Sequence, residues 1–235
     1  MNKAEIEWSE YSWNPVTGCT KHSTGCEHCY AERISTGLQK KGVKKYEMGF
    51  ETVVTHEYTL NEPAKLTKPT QVFVNSMSDI FHKNVPDSFI HRVFQVIERL
   101  PQHKFQVLTK RSERMKEFCC EFPVPDNVWL GVTVETSDFY SRINDLREIP
   151  CVLRFLSLEP LLSSVQDIDL TGIGWVIVGG ESGYGSRWME IEWVRQIRDV
   201  CLRDDVLFFF KQWSCIKRPE ELPVLDGETW SQRPI

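Results

Sequence analysis

Six short apolar runs alternate with amphipathic stretches along most of this chain, and that alternation constrains the fold more than any other feature. The runs are Gln71–Asn75, Phe105–Thr109, Val128–Val134, Val152–Ser157, Trp175–Val178 and Leu207–Phe210. They are rich in β-branched and aromatic residues and almost continuously apolar, as strands covered on both faces are. Between them lie helical stripes. Phe89, Ile90, Val93, Phe94, Val96, Ile97 and Leu100 form the first, behind Pro86 and Asp87. Met115 and Phe118 mark a second. Phe139, Ile143 and Leu146 mark a third, with Ser137 as the expected N-cap, and Ile191, Val194, Ile197 and Cys201 mark a fourth. Such alternation requires parallel strands joined by right-handed crossovers. Six or seven units predict an α/β fold, a partial or full (β/α) barrel of parallel strands, with a doubly wound open sheet as the alternative. The 235 residues suit one such domain over residues 1–213. Pro219, Pro223, Gly227 and Pro234 break the pattern, so residues 214–235 read as an irregular tail that covers one end of the barrel or hangs free.

Cys19, Cys26 and Cys29 form a C-x6-C-x2-C cluster near the N-terminus. Three thiols in one short loop are a metal-site signal. A structural zinc site is normally closed by four ligands, whereas an iron–sulfur cubane held by three cysteines keeps one iron open to a small molecule. Nothing at the N-terminus resembles a signal peptide, and no apolar run reaches the roughly 18 residues of a membrane span. A cytoplasmic, reducing setting is therefore expected, with no membrane partner, and there clustered cysteines bind metal rather than pair. Of the remaining five cysteines, Cys119, Cys151 and Cys201 sit in apolar contexts and read as buried hydrophobes, beside Cys120 and Cys215. The formal charge of −5 gives no general attraction to nucleic acid. Lys40, Lys41, Lys44 and Lys45 read as a solvated loop before they read as a phosphate patch.

Parallel α/β folds place their sites at the carboxyl ends of the strands. The exits here carry Asn75 to Asp79, Thr109-Lys110-Arg111, Thr133 to Thr136, Ser157-Leu158-Glu159-Pro160, Gly179 to Gly183, and Lys211-Gln212-Trp213. Glu159 precedes a proline that fixes the local backbone, and Glu181 follows two glycines that let backbone approach a ligand. Either carboxylate would take an ammonium or a pair of ribose hydroxyls, or would mark the start of solvent. Gly179, Gly180 and Ser182 belong to a loop that reads as ligand-contacting but lacks the ending of a phosphate-binding P-loop. Glycines beside the cysteines would let backbone N–H groups point at sulfur. The rings of His28 and Tyr30 would stack on a bound adenine or simply pack beside the loop.

The cysteine triplet at the start of a parallel barrel resembles the radical S-adenosylmethionine superfamily, although that superfamily's usual first gap is three residues. Longer segments resemble a phage- and prophage-associated family of unassigned function, itself radical-S-adenosylmethionine-like. They include Trp13-Asn14-Pro15-Val16-Thr17-Gly18-Cys19, the stretch from Phe73 to His82, Phe155 to Leu162, Trp175 to Gly183, and Phe208 to Trp213. The resemblance spans about Ile6 to Trp213. It implies a [4Fe–4S] cluster on Cys19, Cys26 and Cys29, with S-adenosylmethionine on the open iron and an external electron donor. It implies that Asn75, Ser76 and Ser78 stand where relatives hold the methionine ammonium, though the usual Gly-Gly-Glu is missing at that exit. Glu135 and Glu159 become ribose or substrate contacts, and Lys110, Arg187 and Lys211 would meet an anionic substrate. That substrate is unassigned, with a nucleotide or nucleic acid in view, and a partner protein completing the site is an open option.

Two other readings use the same cysteines. With His22 or His28 they would make a Cys3His zinc site in a non-catalytic binding module. Alternatively the cluster would sense redox state or pass electrons. Colour separates zinc from iron–sulfur, and cleavage of S-adenosylmethionine separates catalysis from electron transfer.

Overall fold

Seven parallel strands form one curled sheet, and side-chain alternation sorts what they bury onto its two faces. The computed structural model describes residues 1–3, 7–165, 167–217 and 221–235. In chain order the strands of the sheet are β1 (Asn2–Lys3) and β2 (Tyr11–Trp13), then β5 (Gln71–Val74), β6 (Lys104–Thr109), β7 (Val128–Thr133), β8 (Leu153–Leu158), β9 (Trp175–Gly179) and β10 (Leu207–Gln212). A separate antiparallel pair, β3 (Val16–Thr17) and β4 (Val54–Thr55), lies beside the cysteine loop. The spatial order is β1-β2-β5-β6-β7-β8-β9-β10. Every neighbouring pair from β2 to β10 is parallel, and β1 adds an antiparallel edge. Spatial order follows chain order throughout, as in barrel winding, whereas a doubly wound sheet reverses direction partway. The sheet ends at β1 and β10 without closing on itself, so it is a half-barrel.

The helices are α1 (Tyr30–Lys40), α2 (Asp87–Glu98), α3 (Ser112–Glu121), α4 (Ser141–Arg147) and α5 (Ile191–Arg203). The six expected strands are all present, with ends shifted by up to two residues. The short strands β1 to β4, the C-terminal hairpin and α1 went unread. β2 has only three residues, too few to show a period. α1 carries Tyr30, Ile34 and Leu38 at helical spacing, but they line the cavity, and its buried residues are only Ala31 and Ser35. One expectation is corrected: Ser137 does not cap the third helix. It opens a 3-10 turn, and Tyr140 stands at the start of α4.

Alternate residues of each strand face alternate cores. Val72, Val107, Leu130, Leu156, Val176 and Phe208 face outward and belong to the larger core, which includes the apolar stripes of α2, α3, α4 and α5. Trp8, Phe73, Trp129, Phe155, Trp175, Ile177 and Phe209 fill the concave side. Trp8 meets Phe73 edge-on at 4.8 Å, and Trp175 meets Phe209 edge-on at 6.4 Å. Burying each of these Phe side chains contributes about 1.5–3 kcal/mol. Gly131 makes room for the stack, since a Cβ there would lie 2.4 Å from the Phe155 ring. The aromatic plug fills the lower interior and leaves the carboxyl ends of the strands as the open mouth.

The C-terminal segment lies along the free edge of β10. A hairpin of β11 (Val224–Leu225) and β12 (Glu228–Thr229) buries Leu225. Phe210 N donates to Trp230 O at 2.9 Å, Trp175 Nε1 donates to Gln232 O at 3.0 Å, and Phe209 bridges to Ser231. Pairing an edge strand in this way hides its unpaired backbone groups. Pro219 lies outside the described residues. Among the described residues no helix is long and apolar enough to cross a membrane.

Candidate functional site

The cysteine loop arcs across the strand exits from β5 to β9, and each part of it is tied to a different exit. Gly18 begins the arc at φ +81°, and a Cβ there would lie 2.0 Å from Thr52 O, so only glycine fits. Ser78 Oγ, from the β5 exit, donates to Gly18 O. Cys19 N donates to Phe50 O at 2.7 Å. At the β6 exit, Arg111 Nη2 reaches Cys19 Sγ at 3.7 Å and Thr20 O at 3.0 Å, while its Nη1 holds Asp79 Oδ2 at 2.9 Å. Asp79 also accepts from Thr109 Oγ1 at 2.8 Å and from Lys110 N at 3.2 Å. Burial pushes the Cys19 thiol up to about 11, against the pull of the Arg111 guanidinium. Cys29 stands at the N-cap of α1.

Over the β7 exit the loop rests on Glu135, which is fully buried. Ser23 Oγ donates to Glu135 Oε1, Arg142 Nη1 donates to Oε2 at 2.8 Å, and Lys110 Nζ lies 3.6 Å from Oε1. Gly25 lets the carboxylate in, because a Cβ there would lie 2.5 Å from Glu135 Oε1. Over the β9 exit the loop rests on Glu181. His28 Nδ1 lies 2.9 Å from Glu181 Oε2, and Arg187 gives that carboxylate its backbone N at 2.9 Å, Nε at 3.1 Å and Nη2 at 2.6 Å. Arg187 also reaches Thr24 O and Glu27 Oε2, each at 2.9 Å, which straps the β9 exit to the loop. Burial works to raise the Glu181 carboxyl, but the Arg187 and His28 hydrogen bonds outweigh it and hold the group below the usual carboxylate range.

Between these two exits, at β8, Glu159 behaves differently. Lys211 Nζ donates to its Oε2 at 2.6 Å and Ser157 Oγ donates to its Oε1 at 3.1 Å. The pair reaches across β9, where Gly179 leaves room: a Cβ there would lie 3.0 Å from Glu159 Oε2. Lys211 sits at a register shift between Phe210 and Gln212, a bulge of the kind that re-aims side chains beside sites.

One cavity of about 730 Å³ opens above the aromatic plug. Cys19, Cys26 and Cys29 all line it, as do Asn75, Ser76, Ser78, Lys110, Glu159, Gly180, Glu181, Ser182, Lys211 and His28. Two expected contacts are corrected here. Glu135 and Gly179 do not line it, because Glu135 is used up beneath the loop and Gly179 lies beneath the Glu159 carboxylate. Ser76 Oγ is already paired with Ser12 Oγ at 2.6 Å, and the Ser78 hydroxyl with Gly18 O. His28, expected as a stacking ring, is engaged through Nδ1 with Glu181. Lys45, expected in solvent, donates to Asn14 O at 2.7 Å, and burial lowers its pKa. Arg142 and Asp79 went unassigned in the sequence. Arg142 sits in a short amphipathic helix, where an arginine reads as surface charge. Asp79 follows a strand, and its partners come from a different strand exit. Among the described residues no three His, Cys, Asp or Glu side chains converge on a single-ion site.

No curated protein matches the chain in sequence. Solved structures of spore photoproduct lyase are similar to it in fold. An alanine-for-cysteine mutant aligns with a TM-score of 0.53 at 12% identity, over 76% of this chain and 57% of that one. A like mutant with dinucleoside spore photoproduct gives 0.52 at 11%, over 84% and 62%, and a serine-for-cysteine mutant gives 0.50 at 13% over the same shares. The chain thus spans about three-fifths of the length of these structures. The curled parallel half-barrel sheet matches the fold of spore photoproduct lyase. A family model described as "protein of unknown function (DUF5131)" matches residues 3–234, and the chain belongs to that family.

Proposed function

We propose that this protein is a radical S-adenosylmethionine enzyme acting on a nucleotide or nucleic-acid substrate. The observation that carries the reading is the placement of Cys19, Cys26 and Cys29 in the wall of one cavity at the carboxyl ends of a parallel half-barrel. A cubane takes its thiolates at separate corners, so three sulfurs spread around a wall suit it better than they suit one tetrahedral ion. Those three residues would hold a [4Fe–4S] cluster. Given one electron from an external donor, the cluster would supply the electron that splits bound S-adenosylmethionine into methionine and a 5′-deoxyadenosyl radical, which takes a hydrogen atom from substrate.

The chain's own residues bind, orient and exclude water. Arg111 places a donor on Cys19 Sγ, and such donors tune a cluster's potential. The Trp and Phe plug closes the interior below the reaction space. Glu159, Lys110 and Lys211 put one carboxylate and two ammonium groups into the wall, suited to a ligand with hydroxyls and an anionic group. Gly180 and Ser182 form the rim near Glu181. A nucleotide-type substrate is supported by this donor set and by the dinucleoside held in the similar lyase fold.

Anaerobic purification with iron and sulfide reconstitution tests the reading. The expected result is brown protein with iron and sulfide in equal amounts, releasing 5′-deoxyadenosine and methionine after dithionite reduction. Cys26→Ala should lose both the metal and the cleavage while remaining folded. Colourless zinc protein, or full iron in Cys26→Ala, would overturn it.

A further inference from the structure

Asn75 is the first residue beyond β5, between the β2 and β6 exits. It is 4% exposed, and neither its Nδ2 nor its Oδ1 has a hydrogen-bond partner. Its neighbours are not left this way. Ser12, Asn14 and Ser76 pair with one another at 2.6–3.3 Å, and Met77 N donates to Asn14 Oδ1 at 2.9 Å. Trp8, 2% exposed, lines the same cavity, and its indole N–H is also without a partner. Buried polar groups are nearly always paired, and each exception asks for an occupant or a role. Asn75 and Trp8 therefore mark one wall of the cavity as unfinished.

What would finish it follows from the geometry of the groups. A carboxamide presents one donor and one acceptor side by side in a plane, and it pairs with a planar edge offering an acceptor beside a donor. The indole N–H adds a second donor. Phe73 and Leu108 line the cavity with Trp8 and supply an apolar surface for a flat ring. A sugar would leave that apolar surface uncovered, and a simple phosphate would leave the Asn75 oxygen unpaired. A nucleobase meets both demands, through its hydrogen-bonding edge and its face. The Ser76 and Ser78 hydroxyls, expected to act with Asn75 at the methionine end of the co-substrate, are already used, which sets Asn75 apart from them.

We infer that Asn75, with Trp8 beside it, reads the base edge of the substrate, seating a nucleobase against the Trp8–Phe73 floor. This rests on the nucleotide-substrate reading above but not on radical chemistry, so it is tested by binding alone, in the reconstituted full chain before any reductant is added. Thymidine, which presents N3–H beside O4, is the probe. It is titrated by calorimetry into the full chain and into Asn75→Leu, with S-adenosylmethionine titrated into both in parallel. Thymidine should bind the wild type and bind Asn75→Leu at least tenfold more weakly, with S-adenosylmethionine affinity unchanged. Deoxyribose 5-phosphate, which lacks a base, should not distinguish the two proteins. Leucine replaces an unpaired amide of similar volume, so the variant's thermal midpoint should not fall. Should Asn75→Leu fail to fold, Asn75→Ala takes its place in the same titrations. Equal thymidine affinity in wild type and variant, no thymidine binding at all, or a loss confined to S-adenosylmethionine would each overturn the inference. Failure of the radical reading would show instead as no 5′-deoxyadenosine, with thymidine discrimination intact.

Discussion

The exits of β7 and β9 carry the same residue type as the exit of β8 that lies between them, and the two settings do opposite things. Glu135, Glu159 and Glu181 each stand two positions beyond an inward-facing residue of their strand, namely Thr133, Ser157 and Gly179. In sequence the three are equivalent. In the structure the flanking pair is covered by the cysteine loop and spends its oxygens on Ser23, Arg142, Arg187 and His28. Glu181 still reaches the cavity wall, with both oxygens taken, whereas the middle one lines that wall with no bond to the loop and pairs with Lys211. The carboxylates at the edges of the arc therefore hold the loop, and the one at its centre faces the cavity. What decides the role is which segment crosses over each exit.

If the flanks are structural, breaking them should cost the most stability. Arg142→Met leaves the fully buried Glu135 without its closest cation, and removing one member of a buried pair costs about 3–5 kcal/mol. Urea denaturation should show that loss, with Lys110 at 3.6 Å giving only partial relief. A cost below that of the β8-exit variant described last would erase the contrast. Gly25→Ala comes next. Its Cβ would overlap Glu135 Oε1 at 2.5 Å, and overpacking of this kind costs about 1–3 kcal/mol. The displaced loop should also take up less iron during reconstitution. Normal iron uptake at wild-type stability would mean that the loop does not rest on Glu135.

The arrangement was unevenly legible in the chain. Long apolar runs gave the central strands because burial on both faces leaves a continuous signal, and the polar groups at their ends lie at the edge of the sheet where the cavity opens. β2 is too short for a period, and α1 has only the brief stripe of Tyr30, Ile34 and Leu38, which faces the cavity rather than the core. The division of labour among the three glutamates was hidden because it depends on contacts 112 and 153 positions apart, Ser23 with Glu135 and His28 with Glu181. Arg142 went unassigned, and its guanidinium lies under the loop, 4.0 Å from the Phe139 ring centroid. Gly25 and Gly179 were visible as glycines. Their purpose, making room for a carboxylate from another segment, appears only in three dimensions.

Glu181→Gln sharpens the comparison through pH. The folded carboxyl titrates below its unfolded value of about 4.3. A depressed carboxyl stabilises the fold above the unfolded value and loses that contribution as pH falls through the folded one. The stability gap between wild type and Glu181→Gln should therefore be constant above about pH 5 and close as the solution is acidified below the unfolded value. At neutral pH the gap should be about 1.5–3 kcal/mol, the range for hydrogen bonds to a charged group. A gap that widened in acid would assign the opposite sign to the strap.

Glu159→Gln should disturb folding least and chemistry most. The Glu159–Lys211 pair faces the cavity with its side chains 14% and 17% exposed, so water reaches both partners, and glutamine still accepts from Lys211 and Ser157. The stability change should stay within about 1 kcal/mol, as for solvated pairs. Iron loading should match wild type, because neither residue touches the cysteine loop. Yield of modified substrate per 5′-deoxyadenosine formed should fall at least tenfold, because a neutral amide leaves Lys211 unbalanced in the wall against which the substrate is oriented. If Glu159→Gln destabilised the fold as much as Arg142→Met while leaving coupling intact, the exit of β8 would belong with its flanks, and the cavity would have to find its ligand contacts elsewhere.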